Sequence, residues 1–445
     1  MKGRMPPAAK GNLAIFIFGT GRSFLNGVVM EEEIGRTVAE RFQRYVTYDT
    51  QSAEDSSSYP STEKQKELGR RLVAELRELG LLDATIDDYG YVTATLVGNI
   101  ERAAPIIGLI AHMDTSPDVS GKNVKPYVHK GYSGQNIVLP GDNTQVIRLS
   151  ESPELKEQIG NDIITSDGTT LLGADDKSGI AEIMDALYYL TKHAEIEHGT
   201  VKVGFTPDEE IGTGVEHFDI QRFGAQYAYT LDGGAVNEVE TETFCADSVR
   251  IEFNGVSFHP GYAKGKLVNS IKLASTFLDK LPKDTNSPET TEKSEGYVHP
   301  HTIQGGVEET VVKFIVRDFE LEGLKKKEEA LRALAEETVR DRPRAGFSFE
   351  VQESYRNMKY ILDKYPEVVE KAKAAVQMAG LQPRLHRIRG GTDGARLCYM
   401  DLPTPNLGTG MHNFHSKLEW ISIQDMKKSV EVILNLVKLW AAPTH

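Results

Sequence analysis

The sequence predicts an α/β protein: a doubly wound mixed sheet with a ferredoxin-like α+β domain inserted into it. Three observations lead to this fold class. Short apolar runs such as 106–111 alternate with helical patterns, which is typical of parallel strands connected by helices. Near residue 243 the alternation gives way to a β-α-β-β-α-β order. It resumes at about residue 356, so the middle segment interrupts the larger domain.

The elements of the larger domain follow from the spacing of its apolar residues. Helical spacing predicts three helices, at 34–46, 68–79 and 180–190, with Thr62 and Gln65 as a capping box before the second. Alternating or continuous apolar runs predict four strands, at 89–97, 106–112, 201–205 and 227–231. The long stretch 116–162 is expected to be irregular, with small hairpins of its own.

The inserted domain and the C-terminal part are predicted in the same way. Four strands are expected in the insertion, at 249–253, 297–303, 310–318 and 347–353. Two helices are expected there, at 268–281 and 324–339. A helix at 360–379, a strand at 404–407 and a final helix capped by Ser422 complete the chain.

The domain boundaries follow from these changes of pattern. Residues 1–29 are expected to lie outside the fold, because three basic residues and a short apolar run imitate a signal peptide without a small-residue cleavage site. A cleaved export signal is the alternative. The larger domain is predicted to span 30–242 and 356–445, with the inserted lid domain at 243–355.

Composition restricts the classes of function. The net charge of −14 argues against binding to nucleic acid or to an anionic membrane surface. There is no apolar run long enough for a transmembrane helix, and the two isolated cysteines suit a reducing compartment, so we expect a cytoplasmic location. Cys245 and Cys398 are isolated, so any metal site must be built from His, Asp and Glu side chains.

Several predicted strands and turns end in acidic or imidazole residues. They are His112 and Asp114, Asp175 and Asp176, Glu209 and Glu210, Asp232, and His412 and His415. Each cluster alone also fits a helix cap, a solvated turn or a surface histidine. Together they would meet in one crevice at the carboxyl edge of the sheet. Packed carboxylates resist ionising, and two divalent ions would compensate them. Two His, one bridging Asp, one further Asp and one Glu suit that count, and spacing alone leaves His412 and His415 as alternatives.

The ordered set of motifs resembles the tripeptide aminopeptidases of the peptidase T family, within the superfamily of dinuclear zinc exopeptidases and aminoacylases. The matching blocks run from about residue 40 to the C-terminus: GLIAHMDTSPDVSGKNVKP, TLLGADDKSGIAEIMDAL, FTPDEEIGTG, TLDGG, HPGYAKGKLVN, IVRDFE, IRGGTDGARL and NFHSKLE. Ser416 and Leu418 depart from the family pattern, which usually has Gly and often has His at these two positions.

The resemblance implies a role for each residue of the centre. His112, Asp175, Glu210, Asp232 and His415 would bind two Zn²⁺ ions per subunit, with Co²⁺ or Mn²⁺ as substitutes. Asp175 would bridge the ions, and the Asp175–Asp176 peptide would be cis. Asp114 would orient the His112 imidazole, and Glu209 would be the general base and later the acid. His415 is the ligand on this pattern, and His412 is not.

The resemblance and the residue types also imply contacts with substrate. His259 matches the family's lid histidine, which stabilises the oxyanion; a satisfied or surface His in a Phe-His-Pro turn is the alternative. Arg317 would bind a substrate carboxylate, with a surface salt bridge as its alternative role. The turn Gly390–Gly391 would present backbone donors, with Arg389 nearby; a plain loop is the alternative.

The expected function is release of the N-terminal residue from tripeptides by zinc-activated water. The alternatives are a related zinc dipeptidase, carboxypeptidase or N-acyl amino acid deacylase, and a peptide-binding protein without turnover. The expected partner is a small peptide substrate, and a homodimer is one option for the quaternary structure.

Overall fold

A computed structural model describes residues 21–443, with side chains from residue 33 onward. Within this range the helices are α1 (Gly21–Tyr45), α2 (Gln65–Glu78), α3 (Ala174–Lys192), α4 (Ile220–Phe223), α5 (Ser270–Asp279), α6 (Leu321–Arg340), α7 (Lys359–Leu362), α8 (Pro366–Met378), α9 (Asp393–Cys398) and α10 (Ile423–Ala441). The strands are β1 (Thr85–Ile86), β2 (Val92–Leu96), β3 (Ile107–His112), β4 (Tyr127–His129), β5 (Ile137–Val138), β6 (Val146–Ile147), β7 (Ile163–Thr165), β8 (Val201–Thr206), β9 (Tyr227–Gly233), β10 (Glu238–Glu242), β11 (Cys245–Asn254), β12 (Tyr297–Gly305), β13 (Glu309–Asp318), β14 (Gly346–Tyr355), β15 (Arg384–Arg387), β16 (Asn406–Gly408), β17 (Met411–His412) and β18 (Trp420–Ser422).

An eight-stranded mixed sheet forms the centre of the larger domain, in the order β1-β2-β8-β3-β9-β16-β10-β15. β3 is its middle strand and runs parallel to both neighbours, β8 and β9. Successive side chains of β3 pack on opposite faces. Leu109 and Ala111 join the core formed with α1, α3 and α10, and Ile110 joins the core formed with α4 and α9. Helices therefore cover both faces, which confirms the doubly wound mixed sheet.

The second sheet is antiparallel and has the order β12-β13-β11-β14. Helices α5 and α6 pack on it around a separate core that includes Val249, Phe277, Phe314 and Leu331. The strand order is the one expected for a ferredoxin-like β-α-β-β-α-β unit. All of its strands lie between Cys245 and Tyr355, inside the segment predicted as an insertion.

Two smaller sheets build the region beside the main sheet. β5 and β6 form a short antiparallel hairpin within the long irregular stretch, as predicted. β7 pairs with β4 and with β18, and β18 pairs with β17. The turn between β17 and β18 carries His415, so this sheet fixes a C-terminal turn against a segment some 250 residues earlier in the chain.

Several details of the prediction were wrong. The capping box at Thr62 and Gln65 is not formed: α2 has Lys64 at its N-cap without a side-chain hydrogen bond, and Gln65 instead donates to Asp208 Oδ1 at 2.6 Å. The predicted helix at 360–379 is split into α7 and α8, because Pro366 starts a new helix. Strands β10 and β15 were not predicted at all.

The N-terminal prediction falls partly outside the described residues. Residues 1–20 are not described, and the backbone of residues 21–29 continues α1. The domain boundaries stay a prediction. Among the helices of residues 21–443, none is both long enough and apolar enough to cross a membrane.

Helix α3 approaches β9 more closely than a side chain would allow. A Cβ atom added at Gly179 would lie 1.9 Å from the carbonyl oxygen of Leu231. Real Cβ atoms do not approach a backbone oxygen so closely, so only glycine permits this helix–strand contact. The contact fixes the end of β9, where Asp232 follows Leu231.

We expect Gly179→Ala to lower the free energy of unfolding by about 3 kcal/mol, because the backbone of α3 or β9 must move. Gly35→Ala is the matched control on α1, since its Cβ would meet nothing closer than 3.9 Å. That variant is expected to gain about 0.5–1 kcal/mol from the better helix propensity of alanine. Thermal unfolding of both proteins checks this, and equal melting temperatures would contradict it.

Candidate metal centre and substrate cavity

The candidate site lies where three neighbouring parallel strands end. His112 is the last residue of β3, Glu209 and Glu210 lie in a short 3-10 turn after β8, and Asp232 lies near the end of β9. The start of α3 brings Asp175 to the same edge, and the turn after β17 brings His415. The structure therefore brings together the five residues predicted as ligands, because parallel strands deliver their carboxyl ends to one crevice.

One group of potential ligands consists of His112, Asp175 and Asp232. His112 Nε2 lies 2.8 Å from Asp175 Oδ1 and 3.5 Å from Asp232 Oδ1. One donor atom from each of the three side chains lies within 4.8 Å of the others. This spacing places one imidazole and two carboxylates around a common point.

A second group consists of Asp175, Glu210 and His415. His415 Nε2 lies 2.7 Å from Glu210 Oε2 and 3.4 Å from Asp175 Oδ2. Asp175 belongs to both groups, and its two oxygens face different imidazoles. The Asp175–Asp176 peptide is cis, as the resemblance implied.

Asp114 is fully buried and holds two parts of the site in place. Its Oδ1 lies 3.3 Å from His112 Nδ1, on the ring edge opposite the ligand group. The same carboxylate accepts the backbone N–H of Glu209 at 3.0 Å and of Glu210 at 3.2 Å. Asp114 thus fixes both the imidazole of β3 and the acidic turn after β8.

Glu210 and Asp232 resist ionisation in the absence of a cation, whereas hydrogen bonds with His112 and His415 outweigh burial and lower the pKa of Asp175. Burial and Asp175 raise the pKa of Glu210 to about 8, and burial raises that of Asp232 to about 6. Burial lowers the pKa of His415, but its hydrogen bonds to Asp175 and Glu210 outweigh this and raise the value to about 11. Glu210 Oε1 is buried without a hydrogen-bond partner among the described residues. Several buried carboxylates, one of them with an oxygen that lacks a hydrogen-bond partner, form a site that suits divalent cations.

His412 is separated from this site. It is mostly buried on β17, and its ring stacks on Trp420 with centroids 4.1 Å apart. Burial lowers its pKa to about 4. The structure thus distinguishes the two histidines that spacing could not, since only His415 faces the carboxylates.

A third group of His and Glu side chains lies between the paired strands β10 and β15. It consists of Glu238, Glu240 and His386. Arg384 already pairs closely with Glu238, and Asn406 Nδ2 donates to Glu240 Oε2 at 3.1 Å. These partners account for the buried carboxylates of the third group, whereas Glu210 Oε1 of the candidate centre has no partner among the described residues.

A cavity of about 1300 Å³ opens over the candidate centre and reaches the second sheet. Glu209, Glu210 and Asp232 line one part of it. The predicted substrate residues that line it are Arg317, Arg389, Gly390 and Gly391. The guanidinium of Arg389 is engaged elsewhere, because it donates to the backbone oxygens of Lys293 at 2.9 Å and Glu295 at 2.8 Å.

His259 does not line this cavity. It caps a short turn, where its Nδ1 accepts the backbone N–H of Gly261 at 3.2 Å and its ring lies near Tyr262. The side chain is exposed. The predicted contact of His259 with substrate is therefore not made in this conformation.

The structure also places residues at the cavity that the sequence did not single out. Arg396 on α9 lines it, and its guanidinium makes no hydrogen bond or ion pair with any described residue. The buried Tyr355 hydroxyl and Arg317 Nε line the same cavity and also have no partner in the described part of the chain. Arg396 lies inside the quoted IRGGTDGARL block, which was the one available signal. Tyr355 carried none.

Comparison with known proteins agrees with the predicted fold and family. Residues 167–439 match the peptidase family M20/M25/M40. Peptidase T of Desulfitobacterium hafniense is 50% identical over 405 residues, which cover 91% of this chain and 98% of the relative. The fold resembles aminopeptidase PepT of Bacillus cereus, with a TM-score of 0.72, 24% identity and coverage of 92% and 99% of the two chains. It also resembles a tripeptidase of Staphylococcus aureus, with a TM-score of 0.72, 22% identity and coverage of 92% and 98%. The family match and the extensive identity show that the chain belongs to the peptidase family M20/M25/M40, in its peptidase T group.

Proposed function

We propose that this protein is a metal-dependent aminopeptidase that releases the N-terminal residue from tripeptides. One observation carries the proposal: two His–carboxylate groups share Asp175 at the base of a cavity that also exposes the non-ligand carboxylate Glu209. The peptidase T relative and the two peptidases of similar fold support the reaction type. A cytoplasmic location and a homodimer remain predictions.

The residues of the centre suit two divalent cations. His112, Asp175 and Asp232 would hold one, and Asp175, Glu210 and His415 the other. Mixed imidazole and carboxylate donors are typical of Zn²⁺ sites, with Co²⁺ or Mn²⁺ as substitutes. When bound, such a pair supplies Lewis acidity and lowers the pKa of a water molecule at the site.

Glu209 has the properties of a general base. It belongs to neither ligand group, and its backbone is held by Asp114 at 3.0 Å. Burial and the charge of Asp232 raise the pKa of its carboxyl group, which makes the carboxylate a stronger base than an ordinary glutamate. Its carboxylate would take a proton from the attacking water and deliver it to the amine nitrogen of the leaving peptide.

Another part of the cavity lining suits the C-terminal carboxylate of a peptide. Arg317, Arg396 and Tyr355 offer donors there that have no acceptor among the described residues. A carboxylate would satisfy them through charge-assisted hydrogen bonds. The turn Gly390–Gly391 would add backbone donors, with Arg389 holding the neighbouring loop. His259 would reach the scissile carbonyl only if its turn moved to the cavity.

Related activities would use the same centre with other substrates. A dipeptidase, a carboxypeptidase and an N-acyl amino acid deacylase differ in the product that they release. A panel of tripeptides, dipeptides and N-acyl amino acids distinguishes them, and release of an N-terminal residue from tripeptides alone is the expected result. A zinc-loaded protein that binds tripeptides without cleaving them would instead be a peptide-binding protein.

Removal of divalent ions is expected to lower the melting temperature, because the repelling carboxylates lose their compensation. Re-addition of Zn²⁺ should restore it; an ion at 100 times its Kd contributes about 2.7 kcal/mol. Elemental analysis should find two ions in the wild type and fewer in His415→Ala. His386→Ala is the matched control from the third group and should keep both. An unchanged melting temperature after chelation of the divalent ions would contradict the proposal.

Glu209→Gln is expected to lower kcat by about 10²–10⁴-fold, because the amide cannot accept the proton. Its metal content should equal that of the wild type, since Glu209 is in neither ligand group. Glu216→Gln, an exposed glutamate on the same cavity, should keep normal turnover. Near-normal turnover in the Glu209 variant would show that another group is the base.

Arg396→Ala is expected to raise KM for a tripeptide about 10–100-fold, as for loss of a hydrogen bond to a charged group. The effect should disappear with the same tripeptide as its C-terminal amide, and Arg396→Lys should recover part of it. Arg340→Ala, an exposed arginine on α6, serves as the control. An equal effect on the acid and the amide would place Arg396 away from the carboxylate.

A further inference from the structure

Glu419 is a buried carboxylate beside the candidate centre that belongs to neither ligand group. It is 1% exposed and lies directly before β18. Its Oε2 accepts the backbone N–H groups of Leu172 and Gly173, both at 2.7 Å, and its Oε1 accepts that of Asp175 at 3.0 Å. Two N–H groups of the loop before α3 and one at the start of α3 therefore converge on one side chain.

The turn between β17 and β18, which ends at Glu419, also carries His415. Glu419 follows His415 by four residues, and the turn between them is closed by its own hydrogen bonds. Asn413 Nδ2 donates to the backbone oxygen of Leu418 at 3.2 Å, and Ser416 Oγ donates to that of Asn413 at 2.6 Å. Glu419 thus connects the hydrogen-bonded turn that carries His415 to the backbone of Asp175.

The two ligand groups depend on this connection to different degrees. His112 and Asp232 lie on strands of the eight-stranded sheet, and Asp114 holds the His112 ring. His415 and Asp175 come from different segments, and Glu419 is hydrogen-bonded directly between those segments. Disturbing Glu419 should therefore change the spacing in the second group more than in the first.

We infer that Glu419 is a positioning residue that sets the spacing of Asp175 and His415 and thereby the affinity for the ion they would share with Glu210. The inference rests on the proposed two-ion centre. Glu419 would act only through the backbone of Asp175 and the His415 turn, without touching substrate or metal. A role limited to anchoring the loop would change stability without preference for either ion.

The test is stepwise titration of metal-free protein with Zn²⁺ against a chromophoric chelator, for wild type and Glu419→Gln. The isosteric amide can still accept from Leu172 and Gly173, but its NH₂ group then faces the N–H of Asp175. We expect the ion of the second group, identified as the one that His415→Ala loses, to fall at least tenfold in affinity and the other to change less than threefold. Glu419→Asp, which keeps the charge on a shorter side chain, should lie in between.

Two further measurements separate this role from a structural one. In the visible spectrum of the Co²⁺-loaded protein, only the bands of the ion in the second ligand group should change. Glu182→Gln is the matched control, because Glu182, like Glu419, is a buried carboxylate; its hydrogen-bond partner is Ser429 on the C-terminal helix. This variant should leave both affinities unchanged.

A Glu419→Gln protein with a lower melting temperature but wild-type affinities would overturn the inference, and so would equal weakening of both ions. A wild type that binds fewer than two ions would overturn the proposed centre itself. If Glu419→Gln does not fold, the comparison of Glu419→Asp with wild type decides by the same criteria.

Discussion

Mutual repulsion among buried carboxylates is the constraint on which the rest of this structure depends. Glu209, Glu210 and Asp232 meet at one sheet edge, and burial raises the pKa of each. Two imidazoles alone cannot balance so many acids. The fold must therefore hold the acids close together against their repulsion, which favours a centre that cations complete.

Backbone hydrogen bonds supply much of that holding force. Asp114 accepts two N–H groups of the acidic turn after β8, and Glu419 accepts three from the loop before α3 and the first turn of that helix. Both carboxylates are buried and bind amides, so each fixes a segment without itself needing a cation. The close approach of Gly179 to Leu231 fixes the third segment, which carries Asp232. The five potential ligands thus lie on a frame whose geometry is set independently of them.

Much of this organisation could be predicted from sequence, because burial leaves a clear pattern. The apolar runs of β3, β8 and β9 predicted parallel strands, and the acidic and imidazole residues at their ends predicted a metal centre. Strands β10 and β15 could not be found in this way. They pair Glu238 with Arg384 and Glu240 with His386, so charge complementarity across the pair replaces the apolar pattern. Gln65 similarly makes its shortest hydrogen bond with Asp208, a residue remote in sequence, and not within the predicted capping box.

The contacts that the sequence did not predict are those made across long distances in the chain. Tyr355 and Arg396 line one cavity because the second sheet and α9 meet there. Glu419 binds the backbone at the start of α3 because β18 lies against that segment. Only the folded structure shows which of their polar atoms lack a partner or bind a distant amide.

The most direct test of the central claim is the anomalous diffraction of crystals of the zinc-loaded protein, measured on both sides of the zinc absorption edge. The account predicts two peaks per chain. One would lie among His112, Asp175 and Asp232, the other among Asp175, Glu210 and His415, with Asp175 touching both. A single peak, or a peak at Glu238, Glu240 and His386 in place of either, would contradict it.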